Sequence, residues 1–312
     1  MSARGWSLVR ALALGVAVVA LSPVSPLVLV LVPLAVELLA QRRRSAWGVI
    51  LAVLILAMVF GGIVRGRQEP MWYLERGWAL LVGGGFAVAG TGRRGRDLVT
   101  RGLAAMAGAL VVMGLTGLVW HGFFARVDWR MGQELTRAAG LASTWLSGGQ
   151  GPMARELGSA IDRMLGWEVR LYPSFLALAS LCALGVGSYV VTRLGGREEA
   201  LGPVREFRFS DHLVWLVVGG LVLFLAPLGD VASRVGENLL VLMSGLYLLR
   251  GTGVLLWVAG AVVTSGWMAL AWAAVALLLY PLAFTAALVL GLGDTWLDLR
   301  RRLAARTGPG GS

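Results

Sequence analysis

The sequence predicts an all-α integral membrane protein, a bundle of eight or nine hydrophobic segments with an external amphipathic helical hairpin. Three observations predict it. Of 312 residues, 57% are hydrophobic, against about 45–50% in soluble domains, and the mean hydropathy is +0.76. Charged residues make up only 14%. They are gathered into short runs between long apolar stretches, the pattern of a chain whose solvent is lipid.

A helix needs about 20 apolar residues to cross the hydrocarbon, and fewer inside a bundle. Candidate segments in chain order are Leu8–Leu21, Leu27–Ala40, Ala46–Val64, Trp78–Gly90, Leu103–Phe124, Tyr172–Thr192, His212–Leu228, Asn238–Val263 and Trp267–Leu292. The first resembles a signal peptide in its Arg4 and Arg10 followed by apolar residues. It lacks a small-x-small cleavage site and is followed by further apolar segments, so it reads as a membrane helix. Ser22-Pro23-Val24-Ser25-Pro26 joins the first two segments. Proline there ends one helix and starts the next, with a re-entrant hairpin as the alternative.

Between segments five and six lies the one long hydrophilic stretch, Ala125 to Leu171. Met131, Leu135, Ala138, Ala142 and Trp145 recur at helical spacing, as do Met153, Leu157, Ala160, Ile161, Met164 and Leu165. Ser147-Gly148-Gly149-Gln150-Gly151-Pro152 breaks the two runs. The organisation expected is membrane helices over 1–124, an extracytoplasmic hairpin over 125–171, membrane helices over 172–299 and a basic cytoplasmic tail over 300–312.

The positive charge is arginine alone; the sequence contains no lysine. In a soluble protein a net charge of +11 would suggest nucleic acid. Here it reads as the cytoplasmic arginine excess of a bacterial inner-membrane protein, with the bilayer as partner and no nucleic acid. The N-terminus, Arg42 to Arg44, Arg93 to Arg101, Arg193 to Arg208 and Arg300 to Arg306 are expected inside. The loops with Trp72, Tyr73, Trp129 and Trp167 are expected outside. Three segments after Arg193 would put Arg300 outside, against the rule. Either the chain turns back near Arg250-Gly251, or one segment is not a span.

Arg250 is the leading candidate for chemistry. A guanidinium inside an apolar run faces a bundle interior, water or a ligand anion. It is expected to meet an anionic ligand or Glu37, or else to reach an interface where Gly251 and Gly253 bend the chain. Glu37, one turn before Gln41-Arg42-Arg43-Arg44, is an interfacial carboxylate or a second site residue. Asn238 reads as the cap of its segment and as a third candidate. His121 and His212 are too isolated for a metal site, and the single Cys182 gives neither a disulfide nor a thiolate site. Absence of lysine excludes a P-loop, so any ATP hydrolysis belongs to a partner. Neither His-Glu-x-x-His nor Gly-x-Ser-x-Gly occurs. No cofactor and no enzymatic activity are expected. Gly83-Gly84-Gly85, Ala104 with Gly108, Gly185 with Gly187 and Gly219-Gly220 read as close helix packing.

Asn238-Leu239-Leu240, then Leu246-Tyr247-Leu248-Leu249-Arg250-Gly251, then Gly293-Asp294 through Asp298-Leu299-Arg300 resembles the YybS-like family of uncharacterised bacterial membrane proteins. Phe207, Asp211 and Trp215 fit the same pattern. The chain departs from it where Arg250 replaces a glutamine, so no role is borrowed for that position. The family is distantly similar to the substrate-capturing subunits of energy-coupling-factor vitamin transporters. That likeness implies an all-helical subunit without its own ATPase, docked to a coupling subunit through small residues on its first helix. Ala13 and Ala17 stand at that place. The function expected is a small-molecule binding or transport subunit energised by a separate ATPase. The alternative is a non-transporting scaffold of an envelope or division complex.

Overall fold

The computed structural model describes residues 13–18, 20–22, 24–41, 70–92, 98–119, 122–146, 152–194, 207–262 and 265–298. Ala46–Val64, His121 and the basic runs at 42–44, 93–96 and 300–306 lie outside them. The described residues are almost all helical, without a strand, and the chain divides into two compact units, Met1–Ala200 and Leu201–Ser312. Four helices are long and apolar enough to cross a membrane, spanning Leu98–Val119, Arg163–Arg193, Asp230–Ala259 and Tyr280–Leu297.

In the first unit the chain leaves the first helical stretch through a turn at Ser22–Ser25, passes a short 3-10 turn (Pro26–Val30) and enters α1 (Leu31–Gln41). α2 (Pro70–Gly92) packs on these and on α3 (Leu98–Val119). Gly83 admits the α2 backbone to Val30: a Cβ there would stand 3.0 Å from the Val30 carbonyl oxygen. Gly85 lies against Ala105 in the same way. Gly84 and Gly108 face open space, so the close packing expected at most of the named glycines does not extend to these two. Val82, Phe86, Ala105, Met106 and Leu184 fill the interior.

Among the described residues of this unit, several buried polar groups are tied down. Trp78 Nε1 donates to Ser180 Oγ at 2.9 Å, and the Ser180 hydroxyl donates on to the Leu176 carbonyl at 2.6 Å. Arg76 reaches the Ser22 carbonyl at 3.3 Å, placing a cation at the end of the first helix. Arg101 donates to the Phe86 carbonyl at 3.1 Å while its guanidinium lies 4.2 Å over the Phe86 ring.

α4 (Phe123–Leu146) and α5 (Pro152–Leu194) are the two arms of the expected hairpin, but the second arm does not stop where the hydrophilic stretch stops. It continues past Pro173 into the apolar segment as one helix of 43 residues. On α4, Met131 is buried and Trp129 exposed, as the apolar stripe requires. Met164 on α5 is left exposed by this chain. The Leu135 and Leu157 side chains lie outside the described residues.

The second unit runs through a 3-10 turn (Asp211–Leu213), α6 (Val214–Leu225), α7 (Asp230–Val262), α8 (Gly266–Leu278) and α9 (Tyr280–Leu297). Two expectations fail here. Trp267–Leu292 is not a single helix: it breaks at Leu279, where Pro281 starts a new helix at a position that needs no N–H donor. Nor does the chain turn back at Arg250-Gly251, because α7 is helical across both. α6 and α9 both run antiparallel to α7. Gly220 and Gly236 bring α6 onto its N-terminal half, and Gly251 and Gly291 bring α9 onto its C-terminal half.

The start of α6 and the end of α9 therefore meet beside the middle of α7. Arg208, ahead of α6, bonds Asp298, at the end of α9, at 2.9 Å. Groups that close lie at one level along α7, so the described chain enters and leaves this unit at the same level. The expectation that follows is an even number of crossings between Arg208 and Asp298, without a re-entrant turn. Reporter fusions after Arg197 and after Arg306 are expected to give the same compartment; opposite compartments would sink this topology.

Candidate functional site

α7 carries Arg250 inward toward the place where α6 begins and α9 ends. Its side chain is 3% exposed. Nε donates to Asp294 Oδ2 at 3.0 Å, and Nη2 donates to the Asp294 carbonyl at 3.2 Å. Nη1 donates to Asp211 Oδ1 at 2.7 Å. The guanidinium also lies 5.3 Å from the centre of the Phe209 ring. Phe209 is buried and stacks edge-on against Tyr247, with ring centres 5.2 Å apart.

The local structure explains why these groups converge. Asp294 sits in the last turn of α9, where its backbone oxygen accepts the Asp298 N–H at 3.2 Å and has a second lone pair for the cation. Asp298 closes that turn in the left-handed region, φ 42°, and turns its carboxylate to Arg208. Asp211 heads the 3-10 turn before α6, where an acidic side chain is favoured. The result is two arginines and three aspartates in one cluster, with Phe209 and Tyr247 as its apolar wall.

Burial divides the cluster. The Asp294 side chain has 0% exposure, while that of Asp211 has 62%. Arg250 is thus held from inside by a fully buried carboxylate and from outside by one at the accessible surface.

Of the residues expected to act together, Arg250 lies in this cluster. Glu37 lies on α1 of the other unit, and its side chain is outside the described residues. Asn238 is not a cap: α7 starts at Asp230, and Asn238 Nδ2 donates to the Arg234 carbonyl at 2.8 Å inside the helix. Ala13 and Ala17 are both exposed, while Gly15 and Val18 of the same stretch turn inward. The aspartate partners of Arg250 were missed as partners. The stretches around Asp211, Arg250 and Asp294 were nonetheless the ones singled out above, and they meet at this point.

A second feature was not foreseen. A shallow groove of about 490 Å³ runs along α4, lined by Asp128, Trp129, Gly132, Gln133, Thr136 and Arg137. It belongs to the hairpin and to the first unit.

Residues 10–295 match the model of a family described as predicted membrane protein (DUF2232). No curated protein and no solved structure matches the chain.

Proposed function

The chain belongs to the DUF2232 family of predicted membrane proteins, and we propose that it is a small-molecule binding or transport subunit energised by a separate ATPase. Its place in this reading is a bacterial cytoplasmic membrane. The observation that supports the reading is the cluster at Arg250. Ionisable groups inside apolar helices are costly and mark ligand or ion paths. Here one arginine and one aspartate, both buried, occupy helices long enough to cross the bilayer. The ATPase is assigned to a partner because a chain without lysine has no P-loop. The outward face at Ala13 and Ala17 suits the docking of a coupling subunit, since small residues let helices approach.

The test is a thermal-shift screen of the purified protein against vitamins and metabolites. At least one compound is expected to raise the unfolding midpoint, and Arg250→Gln to weaken its binding by roughly tenfold or more. Leucine at Ala13 and Ala17 is expected to leave that binding intact while releasing the coupling subunit. One observation favours the scaffold reading instead: all three guanidinium nitrogens of Arg250 already bond this chain's own oxygens. A screen in which no compound shifts the midpoint would favour the scaffold.

A further inference from the structure

We propose that the outer half of Arg250 is an exchangeable anion site, and that Asp211 is a built-in stand-in for a small carboxylate ligand. The inference rests on the binding reading above and names its substrate class. The two carboxylates on Arg250 differ in what it takes to remove them. Asp294 leaves only if α9 separates from α7, because the two backbones touch where Gly251 meets Ala287 and Gly291 meets Tyr247. Asp211 leaves by a side-chain rotation out of the cluster. It is 62% exposed, on a 3-10 turn of three residues that follows non-helical chain at 207–210.

The exchange conserves charge inside the cluster. An incoming carboxylate takes the position of the Asp211 carboxylate on Nη1, and the displaced aspartate is hydrated outside. The guanidinium stays neutralised throughout, as a buried cation requires. Nε and Nη2 stay with Asp294, so the incoming carboxylate is held by a charge-assisted hydrogen bond from Nη1. Phe209 and Tyr247 beside it suit a ligand with a small apolar body. Arg208 and Asp298, paired at 2.9 Å at the rim, tie the segment carrying Asp211 to α9. The segment therefore stays in place while the side chain exchanges.

The experiment uses the full-length protein in detergent, with thermal unfolding followed in sodium acetate against sodium chloride at equal ionic strength. Asp211→Asn empties the position of its competing charge, so acetate is expected to act on it at least about tenfold more tightly than on the wild type, or about 1.4 kcal/mol. Asp211→Asn combined with Arg250→Gln is expected to lose the acetate-specific shift. Equal acetate responses in wild type and Asp211→Asn would overturn the proposal, as would a shift that survives Arg250→Gln. The comparison of wild type with Asp211→Asn decides even where the double variant does not fold. A neutral metabolite that stabilises the wild type, with acetate inert on Asp211→Asn, would retire this assignment and leave the binding reading standing.

Discussion

Asp294→Ala is expected to destabilise the protein by about 3–5 kcal/mol, because it strands Arg250 as a buried cation without its inner carboxylate. The partner Asp211 does not compensate. It bonds one guanidinium nitrogen from a largely exposed position, and exposed pairs contribute about 0–1 kcal/mol. Asp211→Asn is accordingly expected to be mild. The informative variant is the double replacement Arg250→Leu with Asp294→Leu. Removing both charges leaves nothing to neutralise, and buried pairs replaced by apolar residues are often neutral or stabilising. The double variant is expected to recover most of what Asp294→Ala loses. Reversible unfolding in mixed micelles measures all three. Equal losses for Asp294→Ala and Asp211→Asn would mean that the pair is not the buried lock described here.

Gly251→Ala and Gly291→Ala come next in expected size, despite adding one methyl group each. A Cβ on Gly251 would run into the Ala287 carbonyl, and one on Gly291 into the Tyr247 carbonyl. Neither obstacle is a flexible side chain, so the helices themselves must part. Overpacking of this kind costs about 1–3 kcal/mol and occasionally more. It also shifts Asp294, one turn from Gly291, relative to Arg250. Gly84→Ala and Gly219→Ala are the controls, because nothing lies within 4 Å of a Cβ at either position. Alanine is the better helix former there, by about 0.5–1 kcal/mol. Folded yield and unfolding midpoint are expected to fall for the first pair and to hold or rise for the second.

Much of the fold is legible in the sequence because lipid imposes a simple demand: apolar stretches must form helices to satisfy their own backbones. The helical class and the hairpin follow from that demand. Hydropathy reads less well where a helix is polar or broken. Asp230 to Glu237 looks like a loop, yet α7 begins there and Asn238 satisfies itself on the Arg234 carbonyl. Ala125 to Leu171 hides the continuity of α5 for the same reason. Trp267–Leu292 is apolar throughout, so only Pro281 signals its break.

The site was half legible. Arg250 announces itself by its chemistry. Its partners do not, because Asp294 is 44 residues away and Asp211 is 39. Asp294 looks like a residue in the polar end of a helix, and Asp211 like a cap. Only the antiparallel placement of α6 and α9 on α7 puts both carboxylates at the guanidinium, and pattern along the chain does not encode that placement.

The length of α5 has a mechanical consequence. Forty-three residues of continuous helix measure about 65 Å at about 1.5 Å per residue. A bilayer with its headgroups is about 40–45 Å thick. Upright, such a rod stands clear of the lipid by about 20 Å, and α4 is clamped along the protruding part. The other end of the rod lies among buried Ser180, Leu184 and Val191, and Pro173, the proline inside it, is where a bend is expected.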